Sequence, residues 1–173
     1  MSDHQNKLHG QSAESGIDFH IVLHHPEIPQ NTGNIGRICV CTNCHLHLIE
    51  PLGFLLDDKH IKRSGMDYWQ HVPYTRHASW ENFLETKRDT PIYFFSTKGG
   101  KTYWDCPMEE GSYLVFGSES CGLPEELHEK YKENFYTIPM PGKFQRSLNL
   151  ANSTAIIVYE GLRRYQTDLM DIE

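Results

Sequence analysis

The sequence has no long hydrophobic run. No apolar stretch among its 173 residues approaches the roughly 18 that cross a bilayer, and the N-terminus shows no basic segment followed by an apolar one, the pattern of a secretory signal. These absences predict a protein with no membrane attachment. The five cysteines then indicate free thiols in a reducing compartment, and we expect the protein to be cytoplasmic.

Positive charge is also scarce. Lys and Arg number 16 against 23 Asp and Glu, and the formal net charge is −7. Nonspecific nucleic-acid binding depends on Lys and Arg that neutralise phosphates, so the composition argues against a nonspecific nucleic-acid binder. Contact with RNA would have to come from a local basic patch. Lys59, Lys62 and Arg63 share a helical face and form the best one, with Arg76 nearby, although a plain solvated face is the alternative.

The cysteines and histidines at 39–47 lack the spacing of a metal site. A structural zinc site usually pairs ligands from separated segments. Here Cys39, Cys41 and Cys44 fall within one predicted helix, and His45 and His47 follow on a strand. We therefore expect no metal and interpret the thiols as small apolar side chains.

Residues 1–17 contain almost nothing to bury, which predicts a disordered tail. Residues 18–173 suffice for one domain with its own core. Strands and helices alternate along this domain, which indicates an α/β fold with a mostly parallel sheet flanked by helices on both sides. The predicted strands are 19–25, 45–50, 91–96, 112–117 and 135–140; the predicted helices are 32–44, 78–88, 124–132 and about 148–166.

Four loops rich in Gly, Pro, Ser and Asn follow predicted strands. They read PEIPQNTGN, STKGG, GSESCGLP and PMPGKFQRSLN. In a parallel sheet, ligands bind at the carboxyl ends of the strands, so we expect these loops to form one composite pocket.

Two of the loops contain residues with ordinary structural explanations as well as functional ones. Thr32 is a candidate N-cap for the first helix, with Arg37 one turn inside it, and the free N–H groups of that helix end would suit phosphate or ribose oxygens. Gly117 lacks a Cβ and would let a ligand approach the backbone. The sequence around Ser120 misses the Gly-x-Ser-x-Gly pattern of a serine hydrolase, which makes acyl chemistry improbable.

The last helix opens with polar residues that capping alone does not explain. Ser147 could cap this helix, but a capping box needs Glu or Gln three residues later, and Leu150 stands there. Arg146, Ser147 and Asn149 at the start of a core helix would suit a ligand that needs several hydrogen bonds.

Three segments together resemble one family. IPQNTGNIGR (28–37), FGSESCGLP (116–124) and RSLNLANSTAIIVYE (146–160) are similar to the signature motifs of the SpoU branch of the SPOUT RNA 2′-O-methyltransferases. Between them, IEPLGF (49–54), STKG (96–99) and IPM (138–140) resemble the group that methylates the wobble nucleotide of tRNA. The resemblance covers about residues 19–165, and the three motifs in this order are highly specific.

The resemblance implies a SPOUT fold with a C-terminal trefoil knot, S-adenosylmethionine as methyl donor and a homodimer whose subunits share the tRNA surface. It implies transfer of a methyl group to the 2′-hydroxyl of the wobble cytidine or uridine. By motif position, the cofactor would be bound by Phe95, Gly117, Ile138 and Ser147, in a pocket also lined by Ser96, Thr97, Pro139, Met140 and Leu148.

The catalytic residues implied by the motifs are Arg37, Glu119 and Asn149, and Asn31 and Tyr159 would face the substrate ribose. In the family, the motif arginine serves as general base. A guanidinium is almost never deprotonated in proteins, so Arg37 could instead grip the adjacent phosphate and polarise the hydroxyl, with Glu119 and Asn149 orienting Arg37 or the ribose. Two other functions stay open: methylation of another RNA such as rRNA, and a non-catalytic module that binds the cofactor or RNA.

Overall fold

A seven-stranded parallel sheet forms the centre of the molecule. The computed structural model describes residues 18–56, 68–144 and 146–165. Its strands are β1 (His20–His24), β2 (His45–Ile49), β3 (Tyr74–His77), β4 (Ile92–Phe95), β5 (Lys101–Thr102), β6 (Tyr113–Phe116) and β7 (Phe135–Thr137). They lie in the order β3-β2-β1-β6-β4-β7-β5, and every neighbouring pair is parallel. The predicted tail at residues 1–17 lies outside the described residues.

Helices cover both faces of this sheet. They are α1 (Pro29–Thr42), α2 (Trp80–Thr86), α3 (Glu125–Lys130) and α4 (Leu150–Tyr165), with short 3-10 helices at Trp69–His71, Tyr103–Asp105 and Lys132–Asn134. No helix within the described ranges combines the length and apolar character needed to cross a membrane.

Each face has its own hydrophobic core because side chains alternate along a strand. On one face, Leu23 packs with residues of α1 and α4, among them Ile35 and Val158. On the other face, Val22 packs with residues of α2 and α3, among them Phe83 and Leu127. The predicted parallel sheet with helices on both sides is therefore confirmed.

The predicted start of α1 is wrong. The helix begins at Pro29, a residue favoured at the first helical position, and Ile28 occupies the capping position without a side-chain hydrogen bond. Thr32 therefore lies inside the first turns, where it is buried. The helix ends at Thr42, since Asn43 adopts the left-handed conformation with φ 57°. Cys44 consequently lies outside the helix.

Two of the clustered cysteines are buried apolar groups. Cys39 and Cys44 are fully buried, whereas Cys41 is exposed, so the interpretation as small apolar side chains fits Cys39 and Cys44 but not Cys41. Burial raises the pKa of the Cys44 thiol to about 11 and that of Cys39 further. The described part of the chain contains no group of three or more His, Cys, Asp or Glu placed to hold a metal ion.

A row of buried histidines crosses the first three strands. His20 Nδ1 lies 2.9 Å from His47 Nε2, and His47 Nδ1 lies 2.9 Å from His77 Nε2. Each contact needs one proton, which neutral imidazoles supply. Burial is the main cause that lowers the pKa of His20 to about 4 and that of His47 to about 2, and it also lowers the pKa of His77.

We predict that this row makes the fold sensitive to acid. The unfolded histidines bind protons below about pH 6.5 while the folded ones do not, so the free energy of unfolding should fall as the pH drops from 6.5 toward 4. One such histidine contributes a slope of up to about 1.4 kcal/mol per pH unit. His47→Gln should reduce the slope measured by urea denaturation, whereas His71→Gln, at an exposed site, should not. Equal slopes in both variants would contradict this assignment.

Candidate active site

One cavity of about 650 Å³ opens where β1, β4, β6 and β7 end. Its walls come from the four loops that the sequence predicts to converge, represented by Asn31, Thr97, Glu119 and Leu148. They meet because parallel strands carry their carboxyl ends to the same edge of the sheet. The volume lies within the range of small-molecule sites, about 300–1,000 Å³.

The loop after β6 requires glycine at two positions for its own backbone. Ser118 and Gly122 exchange backbone hydrogen bonds of 3.2 and 3.0 Å, and Gly122 has φ +71°, which disfavours other residues. A Cβ on Gly117 would meet the carbonyl carbon of Gly122 at 2.2 Å. Gly117 lines the cavity, as expected. However, the close approach that requires glycine here is that of the Gly122 backbone, and not that of a ligand.

Glu119 joins the loop after β6 to the start of α1. Its carboxylate accepts hydrogen bonds from the backbone N–H groups of Glu27 (2.8 Å) and Ile28 (3.1 Å) and from the side-chain amide of Asn31 (3.0 Å). The two backbone donors lie just before the first residue of α1, where the helix dipole favours a negatively charged acceptor. Glu119 thus accepts three hydrogen bonds from the segment that leads into α1.

Asn149 continues this network into α4. Its Nδ2 donates to Asn31 Oδ1 at 2.9 Å, and its own Oδ1 accepts from the backbone N–H groups of Ala151 (2.9 Å) and Asn152 (3.3 Å). Asn149 is therefore the residue that caps α4, not Ser147. One side chain both starts the last helix and ties it to the other two motifs.

Glu27 is a residue that the sequence reasoning missed. Its carboxylate accepts from the backbone N–H of Ser120 at 3.0 Å and from the Ser120 hydroxyl at 2.6 Å. Glu27 and Glu119 thus bind each other's loops reciprocally. The pairing joins residues 93 positions apart, so no local sequence pattern could reveal it.

Eleven of the residues predicted for the site line this cavity. They are Asn31, Phe95, Ser96, Thr97, Gly117, Glu119, Ile138, Met140, Ser147, Leu148 and Asn149. Arg37, Arg76, Pro139 and Tyr159, also predicted for the site, are not among the residues that line it. Lys59, Lys62 and Arg63 lie outside the described residues.

Arg37 projects from α1 to the surface and contacts Tyr68. Its guanidinium carbon lies 4.5 Å from the centre of the Tyr68 ring, within cation–π range. The Tyr68 hydroxyl donates to the backbone carbonyl of Gly33 at 2.9 Å, which fixes the ring against α1. Tyr68 therefore orients Arg37, a role that the sequence does not signal.

The other two predicted substrate residues have surface positions. Arg76 is paired with Glu50 at 2.6 Å, at the outer edge of the sheet on β3. Tyr159 is 55% exposed on α4. The structure does not bring either residue to the cavity wall.

The cavity combines apolar, neutral polar and charged surface, the charged part coming from Lys98, Glu119 and Arg146. Phe95 and Phe116 stack with ring centres 5.3 Å apart, and Ser96 and Ser147 contribute hydroxyls. His128 of α3 also lines the wall, where burial lowers the pKa of its imidazole. Such a lining can hold a heterocycle with hydroxyls together with charged groups.

Comparison with known proteins places the chain in a family. The SpoU rRNA Methylase family matches residues 18–159. The chain belongs to this family. One relative is the tRNA (cytidine(34)-2′-O)-methyltransferase of Saccharophagus degradans. It is 48% identical to this chain, and the match covers 84% of this chain and 95% of the relative.

Solved structures agree with the assignment of this chain to the SpoU family. A structure from a study of 2-OH methylation of C/U34 on tRNA is 44% identical, has a TM-score of 0.80, and is matched over 86% of this chain and 97% of its own. The methyltransferase AviRb of Streptomyces viridochromogenes, solved in complex with AdoMet, shares the fold at a TM-score of 0.70 and 24% identity, over 86% of this chain and 61% of its own.

We predict that Glu27 rigidifies the loop after β6. In Glu27→Gln, the amide side chain keeps its size but accepts less strongly from Ser120, because hydrogen bonds to charged groups are roughly twice as strong as neutral ones. Amide hydrogen exchange at Ser120–Gly122 should become faster by severalfold. Glu133→Gln, which changes an exposed carboxylate paired with Lys101, is the matched control and should leave exchange in this loop unchanged. Unchanged exchange in Glu27→Gln would show that Glu27 does not rigidify this loop.

Proposed function

We propose that the protein transfers a methyl group from S-adenosylmethionine to the ribose 2′-hydroxyl of the wobble cytidine or uridine in tRNA. One observation carries the proposal: the three family segments converge on a single cavity in a chain 48% identical to a tRNA (cytidine(34)-2′-O)-methyltransferase. A cytoplasmic location follows from the tRNA substrate. The homologous C/U34 structure supports this substrate over rRNA.

The cavity suits S-adenosylmethionine in size and chemistry. Phe95, Ile138 and Leu148 offer apolar surface to an adenine, and the hydroxyls of Ser96 and Ser147 can bond to polar groups. Gly117, Thr97, Met140 and the adjacent Pro139 complete the same region. The bound cofactor supplies an electrophilic methyl group on a positively charged sulfur.

We further propose that the chain around this cavity forms the C-terminal trefoil knot of SPOUT proteins. The cavity walls after β7 and before α4 would belong to the knotted segment. The likeness of the fold to AviRb supports this topology, since the match extends over 86% of this chain.

In this reaction, Arg37 would bind the phosphate next to the target ribose. Its guanidinium can hold a phosphate through two hydrogen bonds, which would position the 2′-hydroxyl for attack on the methyl carbon. The hydroxyl proton would pass to water as the new O–C bond forms and the C–S bond breaks. Positioning of reactants can supply roughly 7–11 kcal/mol of a barrier. Glu119 and Asn149 are positioning residues, because their polar atoms bond to Glu27, Ile28 and Asn31.

The location of Arg37 supports a homodimer with composite sites. Arg37 is exposed and does not line the cavity of its own chain. A second copy would bring Arg37 of the partner subunit to this cavity. The two subunits would then share the tRNA, with Asn31 facing the ribose and Tyr159, Arg76, Lys59, Lys62 and Arg63 contacting RNA.

Methyl transfer from tritiated S-adenosylmethionine tests the function. Purified protein should methylate unmodified tRNA at the wobble ribose, identified by nucleoside mass spectrometry, and should leave rRNA fragments unmodified. Transfer to rRNA alone would assign a different RNA substrate. Binding of the cofactor by calorimetry with no transfer to either RNA would indicate a non-catalytic module.

We predict that Arg37 acts across the dimer. Arg37→Ala should lose methyl transfer by at least about 100-fold, a typical loss for a residue that stabilises the transition state, while its affinity for S-adenosylmethionine is unchanged. Ser147→Trp should fill the cavity and abolish cofactor binding. A doubly tagged heterodimer of the two variants contains one intact site and should recover about half of the wild-type rate.

Two outcomes would contradict this assignment. If Arg37→Ala stays within about threefold of the wild-type rate, Arg37 has no catalytic role. If the variant is inactive and the heterodimer is inactive too, Arg37 serves its own subunit's cavity.

A further inference from the structure

Phe144 differs from the other phenylalanines of the chain. Six of the eight are buried, yet the side chain of Phe144 is 95% exposed. Burial of an aromatic ring is favourable, but a single exposed ring is ordinary on a protein surface, so its meaning depends on the groups that surround it.

Phe144 lies in a segment whose two ends line the cavity. Met140 lines the cavity on one side of the connecting segment, and Arg146–Asn149 line it on the other. Residues 141–144 between them are exposed. The carbonyl of Phe144 accepts a hydrogen bond from the backbone N–H of Arg146 at 3.1 Å, so the chain turns at Phe144 and returns to the wall.

The charges next to this ring are positive. Lys143 and Arg146 flank Phe144, and neither forms an ion pair with another described residue, whereas Lys98 and Lys101 do. In a chain with net charge −7, two such cations beside the cavity mark the place where phosphates would be accepted. An exposed ring between two cations suits a single-stranded nucleic acid, since its bases stack on aromatic rings while its phosphates bind Lys and Arg.

We propose that Phe144 stacks on an unpaired base of the RNA substrate beside the methylated ribose, and that Lys143 and Arg146 bind the flanking phosphates. This inference rests on the proposed function and names the element that holds the nucleotide. Phe144 thereby sets which nucleotide enters the cavity, and the backbone contacts supply affinity without sequence preference.

Steady-state methylation of an anticodon stem-loop RNA tests the proposal in the full-length protein. Phe144→Ala should raise KM for the RNA by about 5- to 150-fold, the effect of losing one base stack, with the dissociation constant of S-adenosylmethionine within about twofold of wild type. Phe144→Trp should remain within about threefold of wild type. Trp104→Ala is the matched control, because Trp104 is 59% exposed but belongs to the 3-10 helix Tyr103–Asp105, which contributes no residue to the cavity wall.

Abasic substitution identifies the stacked base. Wild-type protein should lose affinity when the base at one loop position is removed, and Phe144→Ala should lose nothing more with that RNA. Lys143→Ala and Arg146→Ala should each lower the slope of log affinity against log salt by about 0.7–0.9. Additive effects of Phe144→Ala and base removal at every loop position would overturn the proposal.

Two further results separate this inference from others. If the wild-type protein methylates no RNA, the proposed function fails, and the role of Phe144 is then tested by RNA binding alone. Binding of the anticodon stem-loop by Phe144→Ala as tightly as by the wild type would overturn the proposal. If Phe144→Ala converts a dimer to a monomer in sedimentation, the ring covers a subunit interface, and the proposal is wrong.

Discussion

The carboxylate of Glu119 anchors a hydrogen-bond network that joins three distant segments of the chain. It accepts two backbone N–H groups at the start of α1 and the amide of Asn31, and Asn31 in turn accepts from Asn149 at the start of α4. Hydrogen bonds to charged groups contribute about 1.5–3 kcal/mol each, and less where water competes, as at half-buried Glu119. Without this network, three loops would lie at one edge of the sheet but would not keep a common geometry.

The parallel sheet creates the condition for that network. Strands β1, β4, β6 and β7 end at the same edge, and their apolar side chains fill two cores between the flanking helices. The cores hold the strand ends in place, and the polar loops that follow them are free to bind a ligand in the cavity. Glu27 and Glu119 then act as a reciprocal pair, each holding the loop that carries the other.

Local patterns in the sequence predict the parallel sheet and the loops that line the cavity. Strands such as Tyr113–Phe116 are continuous apolar runs, and the loop residues that follow them are conspicuous. Strand β3 could not be predicted, because three of its four residues are exposed at the sheet edge and form no apolar pattern. The sequence misplaces the first turn of α1 because Thr32 is a residue type favoured at helix caps. The helix instead begins at Pro29, and Ile28 occupies the capping position without a side-chain hydrogen bond. Glu27 and Tyr68 act through contacts distant in sequence, which only the folded chain reveals.

A crystal structure with S-adenosylhomocysteine tests the central claim most directly. The account predicts that this cofactor product lies in the 650 Å³ cavity and contacts the loops after β4, β6 and β7 together, with the hydrogen bonds of Glu119 to Asn31 and to the start of α1 intact. Binding of the product elsewhere, or binding that breaks the Glu119 network, would contradict the claim that this network holds the active site in its working geometry.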